Sequence, residues 1–312
     1  MNQNVIETKM LTKKHGSQYR VRDLELRVPQ NCVYGFLGPN GAGKSTTIKL
    51  LLGLLRPTSG EIYFFGQKMN EKNRLSILRN TGSLIESPSF YGHLTGLENL
   101  QIVAKLKKVS ASEIEKVLHT VRLYDQRNKQ VKQYSLGMKQ RLGIAMALLG
   151  NPKVLFLDEP TNGLDPAGIV EIRNLLKSLN KEYGMTILVS SHILEELYQT
   201  ASEFILIDKG KIIEEISDRE LNDRCKRHIA IKATDPQKAL IVLEETLHTD
   251  SFKLMPDGII RLYDYLDDME KVAAALSDAH ILVTGLSVAG DTLEDYFLSK
   301  IGGTGNVKSP KS

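Results

Sequence analysis

Cysteine is scarce. The 312-residue chain has two, Cys32 and Cys225, too few for a disulfide framework or a zinc cluster and in keeping with a reducing compartment. Long apolar runs are missing as well. The best, LGIAMALLG at 142–150, is nine residues long, half of the roughly 18 that a bilayer span requires. The chain is therefore not expected to cross a membrane itself, although a membrane-bound partner remains open to it. The opening MNQNVIETKM holds no apolar segment of the kind a secretory signal needs, and no internal repeat is visible. What is present suits an ordinary globular protein of about two domains: 41% hydrophobic and 25% charged residues. The charge is uneven. Residues 1–217 carry 29 Lys and Arg against 21 Asp and Glu, whereas residues 218–312 carry 12 against 16. The basic part suits an anionic ligand such as a nucleotide or nucleic acid, and a solvated surface explains it equally well.

Apolar runs and turn signals set out the organisation. VYGFLGPNGAGKSTTIKLLLGLL passes from a short apolar run through a glycine-rich turn into a helical pattern. VLFLDEP (154–160) and MTILVSSH (185–192) read as buried strands, and FILIDKGKIIEE (204–215) as a hairpin turning at Lys209-Gly210. Between them, AGIVEIRNLLKSLNKEYG (167–184) is a helix stopped by Gly184, and HILEELYQTA is another. Strands alternating with helices imply an α/β fold with a mostly parallel sheet. Residues 97–130 differ. They are helical by period without a strand beside them, and Ser110 and Glu113 offer a capping box. From about 218 the order becomes strand (HIAIKA), helix (DPQKALIVLEETLH), strand (SFKLM), a turn at Pro256-Asp257-Gly258, strand (IIRLY), helix (DDMEKVAAALSDA) and strand (HILVTGL). That βαββαβ order is the split-βαβ arrangement of a small α+β domain. A last helix, DTLEDYFLSKI, precedes the tail GGTGNVKSPKS, which is expected to be disordered.

GPNGAGKST satisfies the phosphate-loop pattern G-x-x-x-x-G-K-[ST] with Gly38, Gly43, Lys44 and Ser45. The glycines of Gly38-Pro39-Asn40-Gly41-Ala42-Gly43 let successive N–H groups turn inward around a phosphate. Lys44 places a cation on the β- and γ-phosphates, Ser45 can ligate Mg²⁺, and the helix running on through Thr46 adds its positive end. VLFLDEP places Asp158 and Glu159 at the C-terminal end of a strand, where α/β sheets bind ligands. Asp158 can hold Mg²⁺ through water, and Glu159 can take a proton from an attacking water. His192, after MTILVSS, either meets the γ-phosphate or is a histidine at a helix start with no ligand. Glu86, in SLIESPSFYGHL, reads locally as a loop charge.

Four segments together resemble the ATP-binding subunit of an ABC transporter over residues ~5–215: GPNGAGKST, YSLGMKQR (134–141), LFLDEPTNGLDP (155–166) and SSH (190–192), in that order. The resemblance implies a P-loop NTPase domain at 1–217, with a helical subdomain at about 97–150 facing the membrane partner. It leaves 218–302 as an accessory α+β domain and 303–312 as the tail. YSLGM stands where the family has Leu-Ser-Gly-Gly-Gln; Ser135 and Gly137 match, while Tyr134, Leu136 and Met138 depart. Asp165 matches the D-loop aspartate. In this family two copies pack head to tail, the phosphate loop of one and the signature of the other enclosing each ATP, so a homodimer with two composite sites is implied. By resemblance Glu159 is the catalytic base, His192 the γ-phosphate residue, and Ser45 and Asp158 the Mg²⁺ residues. By the same resemblance the position that stacks on adenine is held by His15, with Tyr19 nearby as the alternative.

YSLGMKQRLGIA, LIESPSFY and the C-terminal TLEDYF bring the chain nearest to the ATPase subunits of bacitracin and lantibiotic immunity exporters. This implies a separate integral-membrane permease, a place on the cytoplasmic face of the cell membrane, and no nucleic-acid partner. The rival readings are an ABC ATPase of the same branch exporting another drug, a lipid or an ion; a non-transport ABC ATPase, against which the absence of a coiled-coil insert speaks; and a P-loop kinase, which would need an acceptor site in place of YSLGMKQR. Within the family, the loop that leaves the core sheet for the helical subdomain starts with a glutamine that reaches Mg²⁺ and the attacking water. Glu86 occupies that place and is expected beside the metal, where its protonation would matter.

Overall fold

The computed structural model describes residues 4–86, 88–290 and 293–301, and the chain divides into two compact units, Met1–Asp218 and Arg219–Ser312. The first unit opens with β1 (Asn4–His15), β2 (Gln18–Leu24) and β3 (Arg27–Pro29). The sequence pattern marks no strand here, because register shifts around Lys13 break the alternation that would announce β1. β4 (Val33–Leu37) and α1 (Lys44–Leu51) flank the glycine-rich turn. β5 (Ser59–Phe64) and β6 (Gln67–Lys68) complete an antiparallel sheet in the order β2-β1-β5-β6, with β3 on β1. α2 (Arg74–Leu78) leads into β7 (Thr81–Leu84).

The helical insert follows as α3 (Gly96–Lys107), α4 (Ala111–Thr120) and α5 (Leu136–Leu148). Its capping box is at Thr95 and Glu98, where the Thr95 side chain accepts from the Glu98 N–H and Glu98 accepts from the Thr95 N–H. The box expected at Ser110 does not close. Glu113 instead accepts from the Gly150 N–H at 3.2 Å, and the Ser110 hydroxyl turns to Ser112.

β8 (Val154–Asp158), α6 (Pro166–Tyr183), β9 (Thr186–Ser191), α7 (Leu194–Tyr198), β10 (Glu203–Asp208) and β11 (Lys211–Ser217) complete the first unit. The central sheet has the order β11-β10-β4-β9-β8-β7. β10, β4, β9, β8 and β7 are parallel, and β11 joins antiparallel at the edge. Every residue of β4, β8 and β9 is buried, as expected of parallel strands covered on both faces. Phe36, Phe156 and Leu188 share a core with Ile48 of α1 and Phe64 of β5, so the phosphate-loop helix is clamped between the two sheets. Lys209 and Gly210 both take positive φ, 47° and 77°, which forms the tight turn between β10 and β11. Neither cysteine is in a disulfide. Burial pushes the Cys32 thiol up to about 12, so it is protonated at neutral pH and unreactive.

α8 (Asp218–Cys225) leads into the second unit: β12 (His228–Ala233), α9 (Pro236–Glu245), β13 (Phe252–Leu254), β14 (Ile260–Leu262), α10 (Met269–Asp278), β15 (Val283–Ala289) and α11 (Leu293–Ile301). The sheet order is β13-β14-β12-β15 with every neighbouring pair antiparallel. Ile229, Ile231, Ile260 and Leu262 turn one sheet face to Leu243 of α9 and to Val272 and Leu276 of α10. The tail expectation at 303–312 lies outside the described residues.

Candidate functional site

β4 delivers the chain to the phosphate loop at the C-terminal edge of the central sheet, and two glycines make the turn possible. A Cβ at Gly38 would stand 2.3 Å from the Ile207 carbonyl oxygen. Gly43 has φ 111°, and a Cβ there would stand 2.6 Å from the Arg20 oxygen. No other residue fits either place. The hairpin turn pins the loop from outside: the Gly210 N–H donates to Ala42 O at 2.8 Å, and the Arg22 N–H to Gly210 O at 2.8 Å. The result is an open cleft of about 400 Å³ lined by His15, Arg20, the run Pro39, Asn40, Gly41, Ala42, Gly43, Lys44, Ser45 and Thr46, and Glu159. The start of α1 points into it, so unpaired N–H groups and the positive helix end face the same space.

Lys44 is buried, and its ammonium is held within the loop. It donates to Gly38 O at 2.6 Å and Pro39 O at 3.3 Å, and stands 3.2 Å from Glu159 Oε1. The other oxygen of Glu159 lies 2.8 Å from His192 Nδ1. Glu159 therefore bridges the phosphate-loop cation and the histidine after β9. β8 ends at Asp158 because Glu159 turns into the left-handed region, φ 50°, which swings its carboxylate away from the strand. Ser190 holds this geometry. Its hydroxyl donates to Asp158 Oδ1 at 2.6 Å and accepts from the Glu159 N–H at 2.9 Å. Neither Ser190 nor Arg20 is given a role by the sequence pattern. Ser190's position beside His192 at the end of a parallel strand is the signal that would have found it.

Asp158 is 3% exposed, and among the described residues no Lys, Arg or His lies within ion-pair reach of it. Asp158, a buried carboxylate without a cation, precedes Glu159, which lines the cleft as Ser45 does; a carboxylate and a hydroxyl suit Mg²⁺, which needs only one or two protein groups beside phosphate and water. No group of three or more His, Cys, Asp or Glu that could hold a metal ion is present among the described residues.

Apart from His15, the remaining predicted residues are not among those that line the cleft. Ser135 is the N-cap of α5, its hydroxyl accepting from the Met138 N–H at 3.2 Å. A Cβ built at Gly137 meets nothing within 4 Å. Asp165 caps α6 by accepting from the Gly168 N–H at 3.0 Å. Leu136 Cδ2 lies 3.3 Å from where a Cβ of Gly163 would be, so the α5 start and the turn before α6 adjoin. His15 lines the cleft, whereas the Tyr19 ring lies between Lys14 and Arg22, with the cations 4.3 and 4.9 Å from its centroid. Glu86 does not line the cleft. It takes φ 59° and forms an ion pair with Lys49 of α1 at 2.6 Å. The Lys49 ammonium holds its carboxyl below the usual range, so Glu86 is ionised at neutral pH and its protonation state is constant there.

Comparison with known proteins gives the family. The ABC transporter family model matches residues 21–162. The bacitracin transport ATP-binding protein BcrA of Bacillus licheniformis is 46% identical over 300 residues, covering 96% of this chain and 98% of its own length. The lantibiotic transport ATP-binding protein SrtF of Streptococcus pyogenes is 44% identical over 209 residues, 67% of this chain and 89% of its own. Among solved structures, the dimeric post-hydrolysis state of the ATP-binding cassette MJ0796 bound to ADP and Pi aligns with a TM-score of 0.62 at 28% identity, over 69% of this chain and 99% of that one.

Proposed function

The chain belongs to the ABC transporter ATP-binding proteins and is an ATPase of that family, and from this premise we propose that it powers export of a bacitracin- or lantibiotic-like antimicrobial peptide through a separate membrane permease. The observation that carries the reading is the bridge Lys44–Glu159–His192 at the mouth of the phosphate loop. The bacitracin relative supports the substrate class, since its similarity runs through both units of the chain. No helix of the described residues is long and apolar enough to cross a membrane, and this supports a permease as a separate subunit that would hold the ATPase at the cytoplasmic face of the membrane.

In the proposed cycle the β- and γ-phosphates of ATP replace Glu159 on Lys44. Both anions compete for one ammonium, and a polyphosphate carries more charge than a carboxylate. Glu159, released, stays beside His192 and takes the proton of the attacking water, its role being that of a general base. Ser45 and Asp158 hold Mg²⁺, which supplies neutralisation of the phosphate charge. His15 presents its ring to adenine. Ser135 and Gly137 of a second copy close the site from the other side, as a helix start with a hydroxyl and a bare amide. Asp165 sets the start of α6, and the turn before it adjoins the start of α5. The helical insert, residues 96–148, passes closure to the permease.

Growth of a bacitracin-sensitive host tests the proposal. Co-expression of the chain with its permease is expected to raise the inhibitory bacitracin concentration above that of the permease alone; no rise would sink the substrate assignment. Glu86→Gln tests the loop in the same assay. The exposed Lys49 contact is dispensable for folding, so the variant is expected to fold and to release phosphate at a near-normal rate while protecting cells to a different degree. Equal protection by both forms would return Glu86 to a surface charge.

A further inference from the structure

The four-stranded sheet of the second unit has two unlike edges. β13 is three residues long with an exposed lysine, Lys253, at its centre. Shortness and a lysine are the devices that keep an edge strand from pairing with another chain. β15 has neither. It runs for seven residues, and the stretch from Ile281 to Gly290 contains no charged residue and no proline. Among the described residues β15 pairs with β12 alone, so one line of its N–H and C=O groups has no neighbouring strand. Its one register irregularity falls at the Val283 end, leaving Gly285–Ala289 in regular register with β12. No bulge therefore twists the open edge away. Apolar side chains stand exposed along it, Leu282 at 66% and Val288 at 41%.

We infer that β15 pairs antiparallel with β15 of a second copy of this chain, joining two four-stranded sheets into one across a two-fold axis. A two-fold contact sets the same segment against itself. A charged strand would meet its own charge there, as β13 would through Lys253; β15 has no charge to repel. The second copy is the partner most available to it, because two copies are already proposed to enclose ATP in common, and a linked pair raises the local concentration of each for the other. The inference rests on that two-copy reading and extends it. β15 pairing keeps the two ATPase units together after hydrolysis opens the nucleotide interface, so that the next closure is an intramolecular step.

Ser287 offers the test. It is exposed and lies directly across from Ala230 on β12, so a longer side chain does not enter the core. In the full-length chain without nucleotide, light scattering is expected to give twice the chain mass. Ser287→Glu and Ser287→Lys each place like charges across the new pairing and should weaken self-association about ten-fold; mixing the two variants should restore it. Backbone amides of 283–289 should exchange more slowly as chain concentration rises. A nucleotide-free monomer whose β15 exchange is independent of concentration would overturn the pairing, as would a dimer indifferent to both substitutions. Glu159→Gln with ATP, carrying Ser287→Glu, separates the two readings. A dimer there together with a nucleotide-free monomer isolates β15 as the lost contact and supports it. A monomer there refutes the shared nucleotide site, and the concentration dependence of β15 exchange still decides the edge pairing.

Discussion

Glu159→Gln is expected to bind ATP with unimpaired affinity and to hydrolyse it about 10²–10⁴-fold more slowly, the range a positioned general base contributes. Glutamine has the shape of glutamate and tolerates the left-handed φ of 50° no worse. It keeps an oxygen for His192, which stands 2.8 Å from the native carboxylate. What it loses is the capacity to accept the water's proton. It also loses the charge that competes with phosphate for Lys44, 3.2 Å away in the native chain, so ATP binding should not weaken. Single-turnover phosphate release measured beside equilibrium ATP binding distinguishes the two effects. A variant with near-normal turnover would remove Glu159 from the role of base.

Lys44→Ala has the opposite signature, a loss of binding. The ammonium is the cation that the fold buries against the loop, 2.6 Å from Gly38 O, and a hydrogen bond to a charged group is worth roughly 1.5–3 kcal/mol. ATP affinity is therefore expected to fall about 10–100-fold, as read by calorimetric titration. Pro39 lines the open cleft, whereas Gly38 is buried and its carbonyl loses a donor, so a modest fall in melting temperature is expected beside the loss of binding. Unchanged ATP affinity would sink the phosphate-loop reading.

The site was legible where its chemistry requires neighbouring residues. Gly38 to Thr46 run without a break through one turn into the start of α1, and Asp158 and Glu159 stand at the end of one apolar strand, so local pattern sufficed to place them at the C-terminal edge of a parallel sheet. The βαββαβ order of the second unit was legible for the same reason, each element having its own period and turn. Contacts between distant segments were not. The starts of α3 and α4 carry Ser/Thr-x-x-Glu at Thr95–Glu98 and at Ser110–Glu113. Only Thr95–Glu98 closes a capping box, because Glu113 is drawn to the Gly150 N–H, 37 residues along the chain. Glu86 was placed in the right loop by spacing, yet its partner Lys49 lies on another element. Ser190, which ties Asp158 to the backbone of Glu159, is a serine like any other until β8 and β9 are set side by side. β1 was hidden by its own bulges.

In the proposed cycle two copies enclose each nucleotide, one contributing the phosphate loop and the other the start of α5. Gly137 tests it directly, because within its own copy a side chain there meets nothing within 4 Å. An aspartate in the first turn of a helix favours the helix dipole, so Gly137→Asp should fold normally, and its carboxylate would repel a phosphate brought against it. The decisive measurement is the rate of ATP release from Glu159→Gln with and without Gly137→Asp in the same chain. Trapped ATP that escapes at least about ten-fold faster from the chain carrying both substitutions, a change of roughly 1.4 kcal/mol, is the result predicted; identical retention in the two chains would contradict the shared site.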